Sequence, residues 1–356
     1  EIAIDGQPYL VRTWSLPLGS LRLSLGFLAA DPPKKREIER LVDHVRRLIA
    51  DAGIPTLAPG GVLVGTGGTV RNLAKIDVRH SGYPISRLHG YVLARKHVRD
   101  IAHTLAERRA AERGRVSGLN QDRSDSIVGG AFGIKALMSA LEAETVMVSG
   151  QGVREGLLVS LLSEQIPPVS VVRADSITAL TTRFTTWTAH AAARRSALAR
   201  SLIGALEPLV REDVREALGH AASLVDIGRA VDFFDRFEHA ATIVMNTELN
   251  GFSHHDVALL SAILRRAKDE LANPGNYKHL LEKSERVAIE RAAVVLALAD
   301  ELEKRCPPEP RVSVRAVLEP EVVTVHVPEL VSWRPWQGED RFARAFGRRL
   351  EVVGAA

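Results

Sequence analysis

The chain has 356 residues, 47 Lys+Arg against 43 Asp+Glu and a formal charge of +4. At roughly 150 residues per domain the length points to two or three domains, and 46% hydrophobic with 25% charged residues excludes wholesale disorder. A single cysteine, Cys306, excludes an intramolecular disulfide framework and any multi-cysteine metal centre. No run approaches the roughly 18 consecutive apolar residues of a membrane helix and no secretion signal opens the chain, so a soluble, cytoplasmic setting without a membrane partner is expected.

Residues Glu1–Asp5 and Tyr9–Ser15 read as two short strands around a Gly6-Gln7-Pro8 turn. From Asp31-Pro32-Pro33 a helix is expected, with apolar positions Ile38, Leu41, Val42, Val45, Leu48 and Ile49 at helical spacing, stopped by Gly53 and Pro55. The apolar run Val62-Leu63-Val64 leads into Gly65-Thr66-Gly67-Gly68-Thr69 and then helix-compatible sequence. A second run, Thr145–Ser149, leads into Gly150-Gln151-Gly152 and the helical Val153–Leu162. Strand, glycine turn, helix, twice over, predicts an α/β unit with its loops at one end of the sheet. Leu93–Arg113 and Ser124–Leu141 read as helices between them. From Asp175 to Arg305 the pattern is helical throughout, with breaks expected at Gly204, Pro208, Gly219, Gly251 and Asn273-Pro274-Gly275. Beyond Pro310 the valines alternate again, for two or three strands and a short helix, Arg341–Phe346.

Arginine supplies 38 of the 47 basic residues. Its planar fork grips phosphate oxygens bidentately, which Lys does not; solvated Arg-rich helix faces give the same composition. Aromatic residues make up only 5% and do not interleave with the basic clusters, which argues against a single-stranded nucleic-acid platform. In Gly65–Thr69 the glycines let backbone N–H groups approach an anion, and Thr69 offers a hydroxyl at the start of a helix; a plain strand-to-helix turn uses the same residues. No Walker lysine follows, so a P-loop NTPase is not expected. Arg154 is a candidate phosphate ligand, and Glu155 either orients Arg154 or complements the helix dipole.

Read together, Gly65–Thr69, Arg123–Gly130 and Ser149–Gly156 resemble the second lobe of the exopolyphosphatase / guanosine pentaphosphate phosphohydrolase (Ppx/GppA) family, in the actin / sugar kinase / Hsp70 ATPase superfamily. Leu16-Pro17-Leu18-Gly19 with Ser20–Leu23, Asn250-Gly251-Phe252-Ser253 and Phe342–Gly347 extend the resemblance over nearly the whole chain. It implies an α/β plus all-α architecture: an actin-like (ribonuclease H-like) second lobe at 1–167, an HD-like helical domain at 168–310 and a short α/β tail at 311–356. It further implies Mg²⁺-assisted attack of water on the terminal phosphoanhydride of inorganic polyphosphate or guanosine pentaphosphate, and a homodimer. Gly65, Gly67, Gly68, Thr69, Arg154 and Glu155 would contact phosphate or nucleotide, and Arg71, Arg123, Arg265 and Arg266 would line a polyanion groove. Glu1 aligns with the last residue of the family's Asp-x-Gly-Gly-Gly-Ser-x-Glu loop and would help hold metal or water. The residues before it, including the general base, are not in this sequence, so weak or no hydrolysis is expected of the chain as given.

In the HD-like domain, Val225 stands where a ligand histidine would precede Asp226, while His239 and Asp300 match retained positions. Asp226, His239 and Asp300 are therefore expected to be a relic of a metal site. Arg265-Arg266-Ala267-Lys268-Asp269 replaces the family's Arg-Tyr-His-Arg-Lys, and His254-His255-Asp256 reads as a solvent-exposed helix start. Two other readings remain at this level. One is a non-catalytic regulatory protein that binds polyphosphate or guanosine tetra- and pentaphosphate. The other is an active HD phosphohydrolase resting on His239, His255, Asp256 and Asp300.

Overall fold

In a computed structural model, residues 2–6, 9–162, 166–268, 270, 275–308 and 312–354 are described. The chain divides into two units, Glu1–Ile166 and Pro167–Ala356.

The first unit opens with β1 (Ile2–Gly6), antiparallel to β2 (Tyr9–Trp14); Gln7 and Pro8 of the expected turn lie outside the described residues. After α1 (Ser20–Phe27), which the sequence did not announce, α2 (Lys35–Asp51) buries Leu41, Val45 and Ile49, one side of its apolar stripe. Its first turn is held by Glu37, whose carboxylate accepts from the backbone N–H groups of Lys34, Ala29 and Ala30. Then follow β3 (Val64–Gly65), α3 (Gly68–Ser81), β4 (Tyr91–Ala94), α4 (Arg95–Ala106), α5 (Ala110–Arg113), α6 (Ile127–Ala140), β5 (Thr145–Val148) and α7 (Val153–Leu162). The sheet order is β3-β5-β4, with β5 central, parallel to β3 and antiparallel to β4. Helix α6 is apolar on nearly every side and buries Ile127, Val128, Ala131, Phe132, Ala136 and Met138, as a helix central to a core must. Helices α1, α2, α3 and α4 pack on it.

One expected helix is corrected. Leu93–Arg113 is not continuous: Tyr91–Ala94 is the edge strand β4, with Tyr91 and Leu93 buried and Val92 exposed, and the chain enters α4 at Arg95. Period-2 burial and pairing with β5 override the helical reading because the strand runs into the helix with no glycine or proline between them.

The second unit contains α8 (Val169–Thr181), α9 (Ala189–Leu206), α10 (Glu212–Leu224), α11 (Arg236–Asn246), α12 (His254–Lys268) and α13 (Arg286–Arg305). It ends with β6 (Arg315–Leu318), β7 (Val322–His326), α14 (Glu339–Phe346) and β8 (Arg349–Val353), in a sheet ordered β6-β7-β8 with β7 antiparallel to β6 and parallel to β8. Gly204 and Gly219 do not break the chain; they lie inside α9 and α10, where packing outweighs the roughly 1 kcal/mol that glycine costs a helix interior. Asn273 and Pro274 of the last expected break lie outside the described residues. Charge is buried at the centre of this unit. Arg195, 2% exposed, donates to Asp226 Oδ2 at 2.7 Å and to the Ala222 carbonyl at 3.0 Å, and its Nε lies 3.0 Å from Asp300 Oδ1. Arg236 and Lys304 reach the other oxygen of Asp300, at 2.6 and 2.7 Å. Among the described residues no helix is long and apolar enough to cross a membrane.

Candidate anion-binding site

Because β3 and β5 run parallel, with Val64 beside Met147 and Gly65 beside Val148, both strands end at the same edge of the sheet and their glycine turns meet there. Gly67 adopts φ +99°, a backbone conformation that glycine reaches without strain and L-residues rarely do. The chain then turns directly into α3. Thr66 Oγ1 donates to the Gln151 carbonyl at 2.9 Å. From the first turn of α3, Arg71 crosses the same gap: Nε donates to the Ser149 carbonyl and Nη2 to the Gln151 carbonyl, both at 3.1 Å. Arg71, expected to line a groove, thus ties the two glycine loops to each other.

The third loop is brought in by Asn72 and Arg113, both buried. Asn72 Oδ1 accepts from the Asn120 N–H and its Nδ2 donates to the Gly68 carbonyl, each at 2.8 Å. Arg113 is ion-paired with Asp31 at 2.9 Å and donates to the Ser124 carbonyl at 3.2 Å. Between these anchors Arg123 lies over the start of α3, so close that a Cβ on Gly68 would fall 2.9 Å from its Nη2. Thr69 is half-buried against Gly130 at the start of α6.

The two glycine loops differ in what they leave open. In the second, the Gly150 N–H donates to His89 Nδ1 at 3.1 Å, the Gln151 N–H to Ser149 Oγ at 3.1 Å and the Gly152 N–H to Glu155 Oε2 at 2.7 Å. Backbone N–H groups, its own first and then that of Gly152, hold the Glu155 carboxyl below the usual carboxylate range. Glu155 therefore caps α7, and its neighbour Arg154 is exposed. In the first loop no side chain caps α3. The uncapped start of α3, the positive end of its helix dipole, and the Arg123 guanidinium beside Gly68 thus lie together, an arrangement suited to an oxyanion.

This donor set suits an oxyanion. Within Gly65–Thr69 and Ser149–Gly156 the one carboxylate, Glu155, is engaged by the Gly152 N–H; Asp122 and Asp125 flank Arg123 in the third loop. Glu1, the expected catalytic and metal residue, lies outside the described residues.

The remaining expected residues lie in the second unit. Arg265 pairs with Glu238 at 2.5 Å and Arg266 with Glu290 at 2.6 Å, a carboxylate it shares with Arg341, so both are engaged inside that unit. Asp226 and Asp300 are bridged by the Arg195 guanidinium, and His239 forms no metal-holding group with them. The exposed helix start expected at His254-His255-Asp256 is corrected: His254 is buried, His255 Nε2 lies 2.9 Å from Glu285 Oε1, and Asp256 is paired with Arg173 at 2.9 Å.

Sequence reasoning missed Asn72, Arg113 and His89. Asn72 carried one signal, an amide four residues after Gly68 inside a helix, where a short polar side chain needs a reason. Replacing Asn72 with alanine leaves the partly exposed Asn120 N–H without its side-chain acceptor. A loss of about 0.5–1.5 kcal/mol of stability, read by urea unfolding, is the expected result.

Two family models match the chain: the Ppx/GppA phosphatase family over residues 2–165, and Ppx/GppA phosphatase domain III over residues 172–319. The chain is 30% identical over 172 residues to exopolyphosphatase 1 of Mycobacterium leprae, covering 48% of this chain and 50% of the relative. It is 27% identical over 159 residues to a guanosine-5'-triphosphate,3'-diphosphate pyrophosphatase of Photobacterium profundum, covering 44% and 32%. Among solved structures it is similar to the Aquifex aeolicus Ppx/GppA phosphatase, with TM-score 0.41, 25% identity and coverage of 45% of this chain and 53% of that one. The chain spans about half the length of the mycobacterial relatives it matches.

Proposed function

The chain belongs to the Ppx/GppA phosphatase family, and we propose that its first unit supplies the phosphate-gripping part of a hydrolase that removes the terminal phosphate of inorganic polyphosphate or of guanosine pentaphosphate. In this reading the first unit is the second lobe of an actin-like ATPase fold, and the helical part of the second unit is HD-like. The observation that carries it is the uncapped start of α3 beneath Arg123. Phosphoryl transfer asks little covalent chemistry of a protein; it asks for fixed donors aimed at the equatorial oxygens as charge builds on them. The N–H groups following Gly67 and the Arg123 guanidinium are such donors, and the second glycine loop, its own N–H groups engaged, is the scaffold that keeps them in place.

A second reading has one observation in its favour. Glu155 caps α7, so the glycine loops themselves provide no free carboxylate to accept a proton from water. On that reading the chain binds polyphosphate or guanosine tetra- and pentaphosphate without hydrolysing them.

The test is tripolyphosphate binding by calorimetry, with phosphate release from long-chain polyphosphate and Mg²⁺ measured alongside. Arg123→Met is expected to weaken binding about tenfold or more, the loss of one charge-assisted contact. Binding in both proteins is expected to fall as salt rises. Tripolyphosphate binding that Arg123→Met leaves unchanged sinks the site. Binding without phosphate release favours the second reading.

A further inference from the structure

The second unit holds a group of side chains that the anion site does not use and that shares only His255 with the HD phosphohydrolase reading of the sequence. Asp213, near the start of α10, His255, near the start of α12, and Glu285, immediately before α13, each offer a ligand atom, and the three atoms lie within 4.8 Å of one another. We propose that Asp213, His255 and Glu285 form a binding site for a divalent cation of the Zn²⁺ or Mn²⁺ class. This site is independent of the reading given for the first unit.

Three features argue for it. First, the carboxylate of Glu285 is built in: its side chain is 1% exposed, and Oε2 is fixed by the Glu282 N–H at 2.7 Å, which turns Oε1 toward His255. An outer hydrogen bond that aims a ligand is the usual companion of a metal site. Second, the charges do not balance. Two carboxylates share one cation, Arg211, whose Nη2 lies 3.3 Å from Glu285 Oε1 and which also pairs with Asp213, while Glu282 adds a further negative field at the same guanidinium. The three carboxylates around that guanidinium leave an excess of negative charge beside a buried carboxylate, which a divalent ion would offset. Third, the position is open to solvent: the guanidinium that grips both oxygens of Asp213 belongs to Arg211, whose side chain is 54% exposed at the residue preceding α10, so an incoming cation competes there with an exposed partner.

The ligand types choose the ion. One imidazole with two carboxylates, open on the side now filled by Arg211, suits Zn²⁺ or Mn²⁺. Mg²⁺ prefers oxygen ligands alone and keeps its waters, so it is expected not to compete at equal concentration.

The experiment is titration of the metal-stripped full chain with Zn²⁺, by calorimetry in the presence of a competing chelator, on the parent protein and on two variants at partly exposed positions, His255→Ala and Arg211→Ala. One equivalent of Zn²⁺ is expected to bind the parent. His255→Ala is expected to bind at least about tenfold more weakly, the scale of losing a ligand or its support. Arg211→Ala is expected to bind more tightly, because the competing guanidinium is gone. Circular dichroism and urea unfolding of His255→Ala separate loss of a ligand from loss of the fold. The proposal is overturned if the parent and Arg211→Ala bind no stoichiometric Zn²⁺, if His255→Ala binds as tightly as the parent, or if Arg211→Ala binds more weakly.

Discussion

Replacing Arg195 with alanine is expected to cost the protein about 3–5 kcal/mol, the scale of leaving a buried ion network without one partner. Arg195 is 2% exposed, and its guanidinium serves Asp226 at 2.7 Å, Asp300 at 3.0 Å and the Ala222 carbonyl at 3.0 Å. Alanine leaves all three acceptors without this donor and opens a cavity in the buried centre of the unit. Arg195→Lys keeps the charge without the planar fork and is expected to fall between the two. Urea unfolding followed by circular dichroism reads the series.

The effect has a pH signature. Burial pushes the Asp300 carboxyl up, but Arg195, Arg236 and Lys304 together hold it below its ordinary 3.8. A carboxyl whose pKa is depressed in the folded state contributes stability that is fully present above the unfolded value and is lost as pH falls through the folded one. The penalty for Arg195→Ala is therefore expected to be greatest at neutral pH and to shrink below about 3.8, as Asp300 protonates and no longer needs its cation. A penalty of the same size at neutral and strongly acid pH would mean that Arg195 acts through packing alone.

Arg195 also marks what the sequence hides. It sits in the run Ala192–Leu198, Ala- and Arg-rich like the solvated faces nearby, and nothing local separates a buried arginine from an exposed one. Its partners come from 31 residues away for Asp226 and, through Arg236 and Asp300, from a pair 64 residues apart. His255 was hidden in the same way, since Glu285 lies 30 residues on. The strand-glycine-helix units were legible because each is a continuous stretch whose period and punctuation change together: Val62–Thr69 and Thr145–Gly152 need no distant residue to be read. Strand β4 was not, because Leu93, Val98, Ala102 and Leu105 carry a helical spacing across the boundary at Arg95. Within the candidate anion site the residue types could be read, but not the division of labour. Which loop has its N–H groups engaged by side chains depends on His89, 61 residues before the loop it occupies, and the seating of Arg123 depends on Asn72, 48 residues before Asn120.

That division of labour makes Arg71 the sharper test of the site. Arg71→Met keeps the length and apolar stem of the side chain but removes the two donors that hold the Ser149 and Gln151 carbonyls. Hydrogen bonds from a charged donor contribute about 1.5–3 kcal/mol each. The second loop, left with Thr66 as its remaining side-chain tie to the first, is expected to move away from α3. The positioned N–H groups are then diluted among conformers, and tripolyphosphate binding is expected to weaken about tenfold to a hundredfold, at 1.4 kcal/mol for each factor of ten. Arg123→Met acts by contact and Arg71→Met by position, which gives the two variants different salt behaviour. Removing a guanidinium that touches the anion flattens the dependence of binding on ionic strength, whereas loosening the loop leaves that slope near the parent's while lowering affinity at every salt concentration. If Arg71→Met flattens the slope as Arg123→Met does, Arg71 meets the phosphate directly and the loops are held by something else.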